Sequence, residues 1–581
     1  MDKPSGHASW RGQLTLRGVV IGCIGCAIIT ASSAYTALRL GALPWPIVFA
    51  AVVSLFFLRL LQPPLPLQDP ARLPPSYEDE DRDDSNDDNN HGLGRIVAMV
   101  AGGLAFTIPG AWMLGYADQV GMAQMLLVAL SGTLMGLVCT ALIHRHFIED
   151  SQLEFPMGTS AAETLRATEA GGRTGRQLFA SMGVAGLYCA LRDALGAIPT
   201  MLCALPIPGV GFGIYNSPMM LSVGFLVGST AVAFWFAGGV LANFGLVVGG
   251  GALGLWDAAG AQGIVKSLGM GLMMGSGAAV VLKDILPQAR AIASGLRSGD
   301  EGAAASLVSG RLRADAGILG LATAAVAVMA CLGLGLGPLP SIAVVLLSFV
   351  TTIMSAQSCG QTGIDPMEIF GLIVLLLVAA FAQLAQVKLF FVAGIVAVAC
   401  GLAGDVMNDF RAGHILGTDP RAQWLGQAIG GVLGALVAAG VMVALVTAYG
   451  PDAFGPGRMF VSAQASVVAA MVAGIPSVPA FVAGLAAGVA LYLAKLPAMM
   501  VGLGVYLPFY MTLTAFLGSV AKLAWDRVAR ARSTGLSDGE RTRREADARE
   551  GALVVASGVL GGESIVGVVI AFASVIASLI G

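Results

Sequence analysis

The chain has 581 residues, of which 56% are hydrophobic and only 12% charged, with 32 basic and 35 acidic side chains giving a net charge of −3. Its mean hydropathy is +0.80, far from the roughly 25% charged residues of an ordinary soluble domain. That balance excludes a soluble enzyme and a nucleic-acid partner, since the basic residues never form a sustained stripe, and it predicts an all-α polytopic membrane protein.

About twenty apolar residues cross the hydrocarbon layer as a helix, and this criterion picks out 17–41, 43–61, 94–115, 120–142, 177–200, 219–236, 238–256, 263–284, 314–334, 339–357, 366–384, 387–405, 422–447, 457–474, 477–494, 498–520 and 551–579. Residues 153–172 and 457–474 are short and rich in small and polar side chains, so they are expected as re-entrant or broken pieces, leaving about sixteen transmembrane helices. The first apolar run reaches Leu40 and is a span, too long for a signal-peptide core. Between the spans, 62–93 opens with prolines and continues into Glu78-Asp79-Glu80-Asp81-Arg82-Asp83-Asp84, a disordered acidic linker by composition. The stretches 287–313 and 522–550 carry Arg290, Arg297, Arg311 and Arg313, and Lys522, Arg527, Arg530, Arg532, Arg541, Arg543, Arg544 and Arg549. Both are expected as basic cytoplasmic loops, with the N-terminus inside.

The chain reads as a duplication. Ser33-Ala34-Tyr35-Thr36-Ala37-Leu38-Arg39-Leu40-Gly41-Ala42-Leu43-Pro44 aligns with Ser355 to Pro366, and Met219 to Gly224 aligns with Met499 to Gly504 at an offset of 280, which also matches Gly238 to Gly518. This divides the protein into a first half, 1–286, and a second, 314–581. Whether the halves are parallel or inverted turns on one disputed re-entrant piece. Duplicated halves with Gly/Pro-interrupted segments mark a transporter whose site lies between the repeats.

Polar residues inside an apolar chain are costly and tend to line a cavity or pair with each other. The densest group is Gln357, Gln361, Thr362, Asp365 and Glu368, interrupted by Gly360, Gly363 and Pro366; its copy in the first half is Tyr35, Thr36 and Arg39. A carboxylate on one side and a guanidinium on the other suit a zwitterionic ligand. Residues 153–165 place Thr159 and Ser160 at the start of a helix, where free amides receive anions or a hydroxyl simply caps the end. Arg192 and Asp193, and Lys266, Lys283 and Asp284, are candidates for pairing across helices, whereas Asp405, Asn408, Asp409, Arg411 and His414 read best as a polar helix end. The eight cysteines lie mostly in apolar runs and behave as buried thiols, not a disulfide framework. No phosphate-cradling loop, zinc motif or nucleophile elbow is present, so neither enzymatic activity nor a cofactor is expected, and the energy comes from a gradient or another subunit.

These motifs resemble a known family. Leu153-Glu154-Phe155-Pro156-Met157-Gly158-Thr159-Ser160-Ala161-Ala162-Glu163 is similar to the "PFPEGTAAAE"-like signature of the oligopeptide transporter (OPT) family, with Met157 departing from it. Gly360 to Glu368 resembles its "GQTDINPME"-like element, with Gly363 where Asp is common; Asp409 to Arg421 and Gly502 to Pro508 are similar to two later elements. The resemblance implies a secondary transporter of the inner (plasma) membrane, working by proton symport on small peptides or, as in the yellow stripe-like branch, on metal chelates. The duplicated broken helices and intramembrane polar residues place Tyr35, Arg39, Thr159, Ser160, Gln357, Gln361, Thr362, Asp365 and Tyr506 around the substrate, with Asp365 or Glu163 as the proton carrier. Partners expected are the substrate, protons and lipid, with a homodimer left open. A passive pore and a membrane receptor or scaffold are the rival classes.

Overall fold

A computed structural model describes residues 16–40, 100–150, 153, 155, 157–159, 162, 172–207, 209–280, 282–283, 316–362, 365–473, 475–534 and 537–580. Its helices are α1 (Leu16–Leu40), α2 (Val100–Met113), α3 (Met122–Arg145), α4 (Gly172–Cys189), α5 (Pro218–Val227), α6 (Ser229–Val240, wound on as a π-helix over Leu241–Gly249), α7 (Ala258–Val280), α8 (Ala316–Val328), α9 (Pro338–Thr362), α10 (Met367–Phe381), α11 (Gln386–Leu416), α12 (Pro420–Tyr449), α13 (Ala463–Ala473), α14 (Val478–Leu493), α15 (Ala498–Tyr506), α16 (Phe509–Arg532) and α17 (Asp538–Ile580). Six of the described helices are long and apolar enough to cross a membrane, and six more apolar helices are shorter. The expected span 43–61, the acidic linker 62–93 and the basic stretch 287–313 lie outside the described residues.

Helix ends follow local chemistry. Ser217 caps α5 by accepting the Met220 N–H at 3.1 Å, with Pro218 at the first helical position. Asp419 caps α12 in the same way through Arg421 N–H, and α11 stops at Gly417, whose φ of 82° only a glycine adopts cheaply. The middle of the protein is α11, buried without interruption from Leu389 to Phe410. From Leu389 to Gly404 it is apolar on every side, as suits the centre of a bundle, and α3, α9 and α10 pack around it; Asp405, Asn408 and Asp409, expected as a polar helix end, are instead buried within it.

Three expectations need correction. Residues 219–236 and 238–256 are not two spans with a break near 237: the interruption falls at Gly228 (φ 100°), between α5 and α6. The expected span 498–520 is itself interrupted, at Leu507-Pro508 between α15 and α16, because Pro508 has no N–H to continue the ladder. The basic stretch 522–550 is mostly helix, not loop: α16 runs to Arg532, and α17 begins at Asp538. Among the described residues the only strands form one antiparallel hairpin, β1 (Met201–Ile207) and β2 (Val210–Tyr215), in a stretch left unassigned by apolar patterning.

The duplication is visible element by element. α1 and α9 are both 25 residues long at the 322-residue offset, and α5 and α6 start 280 residues before α15 and α16. A Cβ on Gly224 would strike the carbonyl of Ala515, and one on Gly518 that of Leu221; equivalently, Gly504 sits on Trp235 and Gly238 on Val501. Each pair maps onto another when 280 is added to one partner and taken from the other. Along α5–α6 the numbers rise through 221, 224, 235 and 238 while their partners fall through 518, 515, 504 and 501, so the two interrupted helices run antiparallel through both breaks. An exchange of antiparallel copies is a two-fold rotation about an axis perpendicular to the helices, which for spanning helices lies in the membrane plane. The repeats are therefore inverted. The same exchange relates the packing of α7 on α14 to that of α17 on α4, and of α7 on α15 to that of α17 on α5.

Independent contacts agree. α3 and α9 run side by side in one direction, with Leu127 against Gly333 at one end and Met135 and Cys139 clustered with Val345 and Phe349 further along. α12 starts beside the end of α3, where Trp424 donates to the Leu137 carbonyl at 3.1 Å, and Phe454 beyond its far end meets Trp112, upstream of α3. α1 follows α12, with Cys26 on Gly430 and Tyr35 and Tyr449 both on Phe460. α17 follows α1, as Ile29 packs with Val554 and Thr36 bonds Ser564. The start of α1, the end of α3 with His144 and Arg145, and the basic start of α17 thus share one face.

Candidate functional site

Arg39, on the last turn of α1, is only 6% exposed. Its Nε and Nη2 donate to the Tyr35 hydroxyl at 3.2 and 2.9 Å, and Nη1 donates to the Tyr215 hydroxyl at the end of β2. The guanidinium also lies 5.3 Å from the Tyr35 ring centre and 5.4 Å from that of Phe460, within cation–π range. Among the described residues it has no carboxylate partner; the ion pairs there belong to other arginines. One N–H on each Nη is left without a described acceptor, which is the edge that grips a carboxylate bidentately.

Next to this cage is a network that the sequence reading missed in part. The π-turn Ala190–Ala194 at the end of α4 aims Arg192 inward, where its Nη2 meets Asp193 at 2.7 Å and Glu563 of α17 at 2.9 Å. Glu563 also accepts Ser217 Oγ at 3.0 Å and the Met219 N–H at 2.7 Å, so it seals the start of α5. The Arg192–Asp193 candidates were legible; Glu563 was overlooked although Gly562-Glu563-Ser564 interrupts an apolar run. With every oxygen engaged, this carboxylate is a brace and not a vacant acceptor. Of the remaining pairing candidates, Lys283 lies 5.7 Å from the Tyr492 ring centre.

Asp365 occupies a different place. Its Oδ1 accepts Ser355 Oγ at 2.6 Å, its Oδ2 is buried with no described donor, and Gly404 of α11 provides the space beside it and Cys359. One turn on, Glu368 lines a small pocket, with room for about one water, together with Met273, Ile369, Leu372, Gln464 and Val467. Tyr506 packs its Cβ against Gly269, one turn of α7 from Met273. Thr159 sits near the Asp365 end: Phe155 N–H donates to the Gly360 carbonyl at 2.9 Å, and Gly158 N–H to Asn408 Oδ1 at 3.1 Å. Gln357 is half-buried on α9; Gln361 and Thr362 complete that helix, and Ser160 and Glu163 lie outside the described residues.

The arginine and carboxylate centres are thus separate, and one segment joins them. Phe460 underlies Arg39, Ser462 N–H donates to the Leu38 carbonyl at 2.8 Å, and Gln464 at the start of α13 enters the Glu368 pocket. Ser462 holds φ at 45°, an uncommon conformation for a residue with a side chain. Four residues of chain reach at most about 14 Å, so Phe460 and Gln464 hold the two centres within the span of a short peptide.

A profile of the family described as "OPT oligopeptide transporter protein" matches residues 13–574. A Haemophilus influenzae protein described as "Putative oligopeptide transporter" is 25% identical over 545 residues, covering 80% of this chain and 84% of its own length.

Proposed function

Since the chain belongs to the OPT oligopeptide transporter family, and is a multi-pass membrane transporter rather than an enzyme, we propose that it imports small oligopeptides across the plasma membrane by proton symport. The observation that carries this reading is Arg39, a buried cation held by two phenols with its outer edge unused. Burying a charge with no carboxylate in contact is costly, and Glu563, the nearby anion, is already bound to Arg192; a substrate carboxylate would complete the site. In this reading the peptide C-terminus takes Arg39, with Tyr35 and Tyr215 fixing the guanidinium plane, and the chain lies along Phe460 to Gln464. Its amino end approaches Glu368, Asp365 and Tyr506, while Thr159, Ser160, Gln357, Gln361 and Thr362 line the carboxylate side. Asp365 or Glu163 carries the proton. The basic face of α17 and α3 is cytoplasmic by the positive-inside rule. The acidic groups of a metal chelate match the same guanidinium edge, and chelates enter the test as competitors.

Uptake of labelled di- to tetrapeptides into proteoliposomes under an inward proton gradient tests this. Arg39→Gln should lower kcat/KM at least about tenfold, about 1.4 kcal/mol, and wild type should discriminate against C-terminally amidated peptides by a similar factor that the variant has lost. Equal uptake of free-acid and amidated peptides by wild type would remove Arg39 from this role. Suppression by iron or zinc chelates but not by peptides would reassign the cargo, and a flux that never saturates would favour a pore.

A further inference from the structure

Hydroxyls in membrane helices usually donate back to the carbonyl one turn earlier. Ser341 and Thr351 of α9 do so, at 2.7 and 2.9 Å. Ser348 and Thr352 do not: both side chains are fully buried, Ser348 Oγ has no described partner, and Thr352 Oγ1 has only the Cys139 and Cys400 thiols beside it. Ser131 on α3 is likewise fully buried and unpartnered. Buried polar atoms without partners are rare enough that each requires an explanation.

Their positions supply one. Ser341, Ser348, Thr352 and Ser355 recur at steps of seven, four and three residues, which keeps them on one face of α9. The rise from Ser348 to Thr352 is about 6 Å and from Thr352 to Ser355 about 4.5 Å. The longer interval between Ser341 and Ser348, about 10 Å of rise, is the level of Ser131, because Met135 and Cys139, one and two turns beyond it on α3, cluster with Val345 and Phe349 of α9. Thr352 lies beside the thiols of Cys139 and Cys400. The series ends at Ser355 Oγ, 2.6 Å from Asp365, whose second oxygen is also unpartnered. Among the described residues, the ionisable groups facing Asp365 are Glu368 from α10, Cys359 from α9 and Cys400 from α11, and none is a cation.

We propose that Ser341, Ser131, Ser348, Thr352 and Ser355 form a hydroxyl file that conducts protons to Asp365 from the face at the start of α9. This face is opposite the basic start of α17. Each hydroxyl both donates and accepts, so a proton moves along the file, with waters between hydroxyls, as each O–H is passed on and a new one taken up. No net charge remains on any member, and the proton ends on the Asp365 carboxylate. The inference rests on the symport reading for its purpose, but not for its test.

The test follows the Asp365 carboxyl stretch by infrared spectroscopy in reconstituted full-length protein after a rapid pH drop on one face, with the band assigned by its loss in Asp365→Asn. Wild type should protonate faster from the α9-start face. The double variant Ser348→Ala with Thr352→Val should slow that half-time about tenfold and leave protonation from the other face unchanged. Ser348→Thr with Thr352→Ser, which keeps both hydroxyls, should restore it and separates conduction from folding. An unchanged half-time in the double variant, or an Asp365 band that never responds to pH, would overturn the file. Peptide-driven acidification by wild type is measured separately; its absence removes symport and leaves the infrared result to decide the file.

Discussion

Arg39 and Glu563 are both buried charges, and their surroundings give them opposite roles. Arg39 has neutral partners and an unused edge, whereas Glu563 is met by a cation, a hydroxyl and a backbone amide. Removing Arg192 therefore strands a buried anion, and Arg192→Met should cost about 3–5 kcal/mol. Glu563→Gln keeps an acceptor for Ser217 and Met219 and leaves Arg192 its bond to Asp193, so its cost should be smaller, about 1–3 kcal/mol. Thermal unfolding in detergent checks the order, and equal losses would contradict the brace. Polar residues in apolar runs were legible as site candidates, but their grouping was not. Composition shows that Arg39 and Asp365 are exceptional; only packing shows that one faces Tyr215 and the other Ser355.

Among the elements, the interrupted pairs α5–α6 and α15–α16 carry the symmetry, and their glycines allow backbone to touch backbone where lipid offers no hydrophobic drive for association. Gly224→Ala and Gly504→Ala are the same substitution in two copies, and each should lower stability by about 1–3 kcal/mol, by similar amounts. Gly440→Ala on α12, where an added Cβ meets nothing, should be neutral or stabilising by up to about 1 kcal/mol. Melting temperatures decide it: a loss at one copy alone would break the two-fold. Most helix positions were readable because apolar length is a one-dimensional signal. Two breaks were misplaced or missed because Gly228 and Pro508 each interrupt a run that stays apolar on both sides. The hairpin escaped the same way, since Leu202 and Leu205 look like any apolar segment although both are exposed.

For the whole molecule, inversion could not be read from the aligned motifs, because a similarity between segments says nothing about their direction. It becomes checkable at the ends of α3 and α12, where Glu149 and Asp452 are exposed. In a protein freed of native cysteines, Glu149→Cys and Asp452→Cys should react with a membrane-impermeant maleimide from opposite sides. Labelling from the same side would make the repeats parallel.

The hairpin Met201–Tyr215 has no twin among the described residues. Twenty-three residues of α4–α5 connection hold it after the π-turn, Leu195 to Ser217, whereas α14 ends at Leu493 and α15 begins at Ala498. Tyr215, the phenol that steadies Arg39 from outside α1, therefore exists in one half alone. A perfectly mirrored machine would grasp cargo equally well from either compartment. This one owns a single hand, so unequal grip in the two compartments is the expected consequence, while the gradients alone set which way the net flow runs.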